Sequence, residues 1–178
     1  KADLSLIAPS FWQYSNIDPS LTSLHHLLVK NTVTGCTAMI NQALLKLSSP
    51  IPQQSVMHDW WLALVGSLFG KIAYIKEPTM LYRQHGKNDV GAKKFSLWRI
   101  AKDQLFRNKQ MAQRKKQHKA QKYQQAQHFL DRYSHLLDAS QKDILKAFAS
   151  LGNLSLFKYL ACVLRYQFIP NISSKWKP

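Results

Sequence analysis

Carboxylates are scarce in this chain: nine Asp and Glu face 25 Lys and Arg across 178 residues, for a formal net charge of +16. Each acid therefore stands out, and only five (Asp3, Asp18, Asp59, Glu77 and Asp89) fall in the first 92 positions. Cysteine is nearly absent too. Cys36 and Cys162 lie far apart and form no C-x-x-C pair, which argues against a disulfide framework or zinc ribbon and makes a reducing cytoplasm the default compartment. No stretch reaches the roughly 18 consecutive apolar residues of a membrane-spanning helix, and the start shows no signal-peptide pattern. The opening run Lys1-Ala2-Asp3-Leu4-Ser5-Leu6-Ile7 has neither an initiating methionine nor a helix cap, and reads as the continuation of a longer polypeptide. A chain of this length buries one sizeable core, so one domain, with or without an appendage, is expected.

What charge there is lies mostly at one end. Residues 1–92 carry seven Lys/Arg against five Asp/Glu, a balance of +2, whereas residues 93–178 carry eighteen against four, a balance of +14. The near-neutral, aromatic-rich first part reads as a folded functional unit. The basic second part implies an anionic neighbour: a membrane surface, nucleic acid or an acidic partner.

Local patterns divide the first part further. Leucines recur at helical spacing over residues 21–29, with Ser20 or Asp18 near the start; the adjacent His25 and His26 point about 100° apart on such a helix and do not suit one metal. Asn31-Thr32-Val33-Thr34-Gly35-Cys36-Thr37 reads as strand or loop broken at Gly35, which marks either a bulge or a close approach of a ligand to the backbone. Asn41 is placed to cap a helix over 42–47. Residues 71–76 alternate as a strand, Glu77-Pro78 turns, and 79–83 form another. From Phe95 onward the spacing is helical, interrupted by the basic run Arg114-Lys115-Lys116-Gln117-His118-Lys119, and a last helix is expected over 154–168.

The organising stretch is Met57-His58-Asp59-Trp60-Trp61, at the mouth of an apolar helical run from Leu62 to Phe69 that Gly70 ends. An Asp just before such a run is commonly a helix N-cap. Flanked by His58 and two indoles, which shape flat half-apolar surfaces, the same Asp59 also has the surroundings of a catalytic base.

Three blocks in order, Asn31 to Thr37, Met57 to Trp61, and Leu81-Tyr82-Arg83-Gln84-His85-Gly86-Lys87-Asn88, make residues 1–92 resemble the C-terminal, acceptor-side half of a family 2 glycosyltransferase of the bacterial rhamnosyltransferase-like branch. The resemblance implies an α/β fold, the second half of a GT-A Rossmann-like sandwich over 1–92; the helical spacing and charge of 93–178, which carry no family motif, read as a basic α-helical appendage to it. It implies an inverting hexosyltransferase with Asp59 as the base, using a nucleotide-sugar donor and a glycan or lipid-linked acceptor of surface-polysaccharide synthesis. One carboxylate suffices for that chemistry, unlike the pair used in most glycoside hydrolysis. Gly35, Cys36 and Thr37 correspond to backbone close to donor sugar and diphosphate. His58 orients Asp59, touches the acceptor or only packs. Trp60 and Trp61 form a stacking platform, or one of them is core. Tyr82 and Arg83 border the substrate, with Arg83 suited to diphosphate oxygens or to a plain surface role. His85 is a metal ligand in such enzymes or otherwise a structural histidine. The divalent metal, Mg or Mn, would be held mainly by an upstream half, since no Asp-x-Asp motif and no nucleotide-binding strands occur in this sequence; the segment alone would be inactive.

The basic helices would rest on the anionic inner face of the plasma membrane, where each Lys or Arg near the surface contributes about 1 kcal/mol. The competing class is a nucleic-acid-binding protein, motivated by a pI of about 10.0 but lacking helix-turn-helix, zinc or RNP-type patterns. A non-catalytic membrane-surface module is the third.

Overall fold

Seven helices account for the regular structure of residues 5–83 and 109–169, the part of the chain that the computed structural model describes. They are α1 (Phe11–Ser15), α2 (Leu24–Val29), α3 (Gln42–Ser48), α4 (His58–Phe69), α5 (Lys109–Tyr133), α6 (Ala139–Ser150) and α7 (Leu156–Arg165), with single 3-10 turns at Gly35–Thr37 and Leu151–Asn153. The described residues contain no β-strand. The α/β sandwich implied by the resemblance is therefore overturned for this chain. Residues 71–83 lie extended or in bends, with most side chains exposed on both sides. Alternation sets which way side chains point, but a strand forms only where a neighbouring strand completes its backbone ladder. Among the described residues no second strand is present to supply one.

Several helix starts are written locally. The Asn41 side chain accepts from the Leu44 amide at 2.9 Å, capping α3 as expected. Asp138 and Gln141 form a reciprocal capping box at the head of α6 (2.8 and 3.1 Å). Helix α2 starts later than the leucine spacing suggests, after Ser23; Asp18 instead closes a turn on the Ser20 amide and hydroxyl.

The chain divides into two compact units. The described residues of one are 5–20 and 73–83. There α1 is capped by Ser10 at its start and by Asn16 at its end, which takes the left-handed conformation (φ 49°), and the Phe11 and Trp12 rings meet Tyr82 and Tyr74 edge-on at 5.8 and 5.9 Å. The other unit joins Leu21–Ile72 to Asn108–Asn171. Residues of the basic second part, among them Phe129, Tyr133 and Leu145, are buried in this unit.

That larger core is built where α4 meets α5. Trp61, fully buried, packs against Phe129 (5.3 Å) and Tyr133 (6.0 Å), and Phe69 closes on the same two rings. Helix α6 packs along α5 through Leu145 and Phe148, and α2 and α3 lie against α4. Buried Gln125 of α5 accepts the Val56 amide at 2.8 Å, just ahead of α4.

The last carbonyls of a helix have no partner within it. Those at the end of α3 are taken by three side chains from elsewhere. The Trp61 indole N–H donates to Ser48 O (3.1 Å), the Tyr133 hydroxyl to Leu47 O (2.9 Å), and the Arg132 guanidinium to Leu47 O (3.3 Å), Pro50 O (2.5 Å) and Ser49 O. Arg132→Leu should therefore lower the unfolding free energy by about 2 kcal/mol, the scale of charge-assisted hydrogen bonds. Arg132→Lys should restore less than half, because an ammonium lacks the planar fork. Urea denaturation of the two variants measures both.

Candidate functional site

Helix α4 begins without a side-chain cap: Met57 occupies the N-cap position and offers no acceptor. His58 and Asp59 are the first two residues inside the helix. Asp59 thus lies in the first turn, where unpaired amides and the positive end of the helix favour an anion, but it does not act as the cap. Its Oδ2 instead accepts the Gly35 amide at 2.9 Å, across 24 residues of sequence. Gly35 heads a 3-10 turn closed by Thr37 N to Thr34 O (3.0 Å) and Ala38 N to Gly35 O (3.3 Å).

The close approach explains the glycine. A Cβ on residue 35 would stand 2.6 Å from His58 Nε2 and 3.3 Å from both Asp59 Cβ and Oδ2. Of the two alternatives read from sequence, the approach is real, but the approaching groups are protein side chains.

Asp59 is 4% exposed, and its second oxygen, Oδ1, is buried without a hydrogen-bond partner among the described residues. An unsatisfied buried acceptor costs about 1–3 kcal/mol, so a proton donor brought to Oδ1 would be favoured. His58 beside it is exposed, as are Cys36 and Thr37 on the turn. The arrangement offers one carboxylate with one oxygen fixed by a backbone amide and the other free to accept.

Of the sequence-selected residues, the structure brings Gly35, His58 and Asp59 together, with Cys36 and Thr37 on the same turn. Trp60 and Trp61 are both core: the Trp60 indole donates to Leu27 O and the Trp61 indole to Ser48 O, so neither ring is a platform open to solvent. Tyr82 and Arg83 belong to the other compact unit, both exposed, with Tyr82 against Phe11. His85 lies outside the described residues. Among the described residues no cluster of three or more His, Cys, Asp or Glu could hold a metal ion, so these side chains do not by themselves fit the divalent metal that the resemblance implies.

Two titratable groups that sequence reading passed over surround Trp60. The Lys122 ammonium donates to Val29 O (2.7 Å) at the end of α2 and lies 5.1 Å from the Trp60 ring centre, and the His118 ring lies 6.0 Å away. Burial, and after it the charge of Lys119, bring Lys122 down from 10.5 to about 8. Burial and then Lys122 also lower His118. Their only sequence signal is helical spacing in the basic part of the chain, and nothing in that spacing names Trp60 as a neighbour.

No protein-family model, curated protein or solved structure matches this chain.

Gly35→Ala should destabilise the protein by about 1–3 kcal/mol, the usual range for overpacking. Because the tightest contact is with His58, adding His58→Ala should recover part of that loss; chemical denaturation of the single and double variants decides it. A pH effect follows from Lys122. Between about pH 8 and 10.5 the unfolded chain holds a proton that folded Lys122 has lost, so its contribution to stability rises with pH across that window. Above about pH 10 Tyr123, pushed up to about 12 first by burial and then by Tyr159, acts in the opposite sense. Thermal melts from pH 8 to 10 should show the rise, and Lys122→Met should flatten it.

Proposed function

We propose that this chain supplies the base-carrying, acceptor-side part of an inverting glycosyltransferase, with Asp59 as the general base. The reaction is transfer of a sugar, rhamnose on the resemblance, from a nucleotide-sugar to a surface-polysaccharide or lipid-linked acceptor. One observation carries the reading: two separate blocks of the resemblance, around Gly35 and around His58-Asp59, converge on one carboxylate whose Oδ1 lacks a partner.

In the proposed step an acceptor hydroxyl donates its proton to Asp59 Oδ1 while its oxygen forms a bond to the anomeric carbon. The bond from that carbon to the diphosphate breaks, and the diphosphate leaves with the electron pair. The Gly35 amide, bound to Oδ2, fixes the direction of the carboxylate. Oδ1 is enclosed, so the acceptor reaches it in a conformation that opens the site while Gly35 keeps its hold on Oδ2.

Asp59→Asn separates this role from a structural one, because the amide oxygen still accepts the Gly35 N–H while the group no longer takes a proton. In the natural polypeptide that contains this sequence, turnover of nucleotide-sugars should fall by about 10²-fold or more, the scale of general-base catalysis, with the melting temperature nearly unchanged. Full activity in the Asn variant would rule out Asp59 as the base.

A further inference from the structure

The last helix wears its apolar face outward. Leu156, Phe157, Leu160 and Leu164 of α7 are 69%, 84%, 48% and 67% exposed. At about 100° per residue they fall within an arc of roughly 100°. Tyr159, Cys162 and Val163, on the other side, are the residues packed against the core. Monomeric proteins seldom leave so continuous an apolar stripe on a helix without something to cover it.

Positive charge lies along both margins of this stripe. Beyond Phe157 come Lys158 and Arg165, both exposed. On the Leu156 side, the Lys119 ammonium of α5 reaches the Tyr159 hydroxyl at 3.3 Å and lies 5.1 Å from its ring centre. Exposed Lys115 and Lys116, one turn earlier on α5, share the Lys119 face. No acidic residue occurs from Leu154 to Ile169.

An exposed Leu/Phe stripe between rows of Lys and Arg is the pattern of a helix that lies in a membrane interface, apolar side chains among the acyl chains and cations at the headgroups. The described helices include none long and apolar enough to cross a membrane, so the contact is a lateral one. We infer that α7, flanked by Lys115, Lys116 and Lys119 of α5, is the site at which this protein binds the surface of an anionic phospholipid bilayer. Cations on their own would serve many anions, and an apolar stripe on its own would serve another protein; the two side by side select a charged lipid surface.

The test is co-sedimentation of the whole protein with phosphatidylcholine vesicles, with and without phosphatidylglycerol. Binding to the anionic vesicles is expected, and it should weaken about tenfold or more in Phe157→Ser/Leu164→Ser, since each buried methylene adds to interfacial affinity. Both side chains are exposed, so the fold should persist, as circular dichroism would show. Lys116→Glu/Lys158→Glu should weaken binding to anionic vesicles and leave binding to neutral ones unchanged. Equal binding by the Ser variant and the parent would overturn the proposal. So would a parent dimer that becomes monomeric in the Ser variant without vesicle binding, which would make a second copy the occupant. Salt-sensitive binding to a DNA duplex with indifference to vesicles would also overturn it. No arm involves sugar transfer, so the result is independent of the role of Asp59.

Discussion

The carbonyls that end α3 are the constraint around which the larger unit is arranged. Leu47 and Ser48 in its last turn, with Ser49 and Pro50 just beyond it, present four acceptors without a partner in the helix. Trp61 of α4, with Arg132 and Tyr133 of α5, satisfies all four. Each of these donors also packs: the Trp61 and Tyr133 rings belong to the aromatic cluster with Phe129 and Phe69, and Arg132 lies over both of them at 6.0 and 5.3 Å. Polar satisfaction and apolar burial are met by the same atoms. Once Trp61 is fixed, the first turn of α4 is fixed with it, and so is the distance at which Asp59 meets Gly35.

Asp59 then shows how a structural and a chemical role can share one side chain. A carboxylate has two oxygens and room for several donors; here a backbone amide holds one oxygen and the other has no partner among the described residues. The helical architecture around it differs from the sandwich that the sequence resemblance implies, and the proposal for Asp59 rests on the local constellation rather than on architecture.

Sequence reading succeeded where the determinants are local. The Asn41 cap and the end of α4 at Gly70 follow from side chains within a turn of where they act. Gly35 was visible as a point of close approach, although nothing local names His58 as the approaching group. It failed where an outcome depends on partners. Alternation at 71–76 specifies which way side chains point, but a ladder needs a second strand. The pairing of Trp60 with Leu27 O, and of Arg132 with carbonyls more than 80 positions away, has no signature in either segment. Lys122 and Arg132 sit in a region whose charge reads as facing an anionic neighbour, yet both cap the ends of other helices. For α7 the apolar periodicity was plain and its orientation was not, because spacing tells that a helix has two faces without telling which one turns inward.

The larger unit is assembled from two stretches with the other unit's residues between them, and this has a consequence during synthesis. A ribosome adds roughly 5–20 residues per second, so Ser49 leaves the exit tunnel several seconds before Arg132 can follow. In that interval the two tryptophans of α4 have no α5 to cover them, and the nascent chain presents an aromatic surface that a chaperone would hold. The order in which the polypeptide is made thus runs against the order in which its core can close.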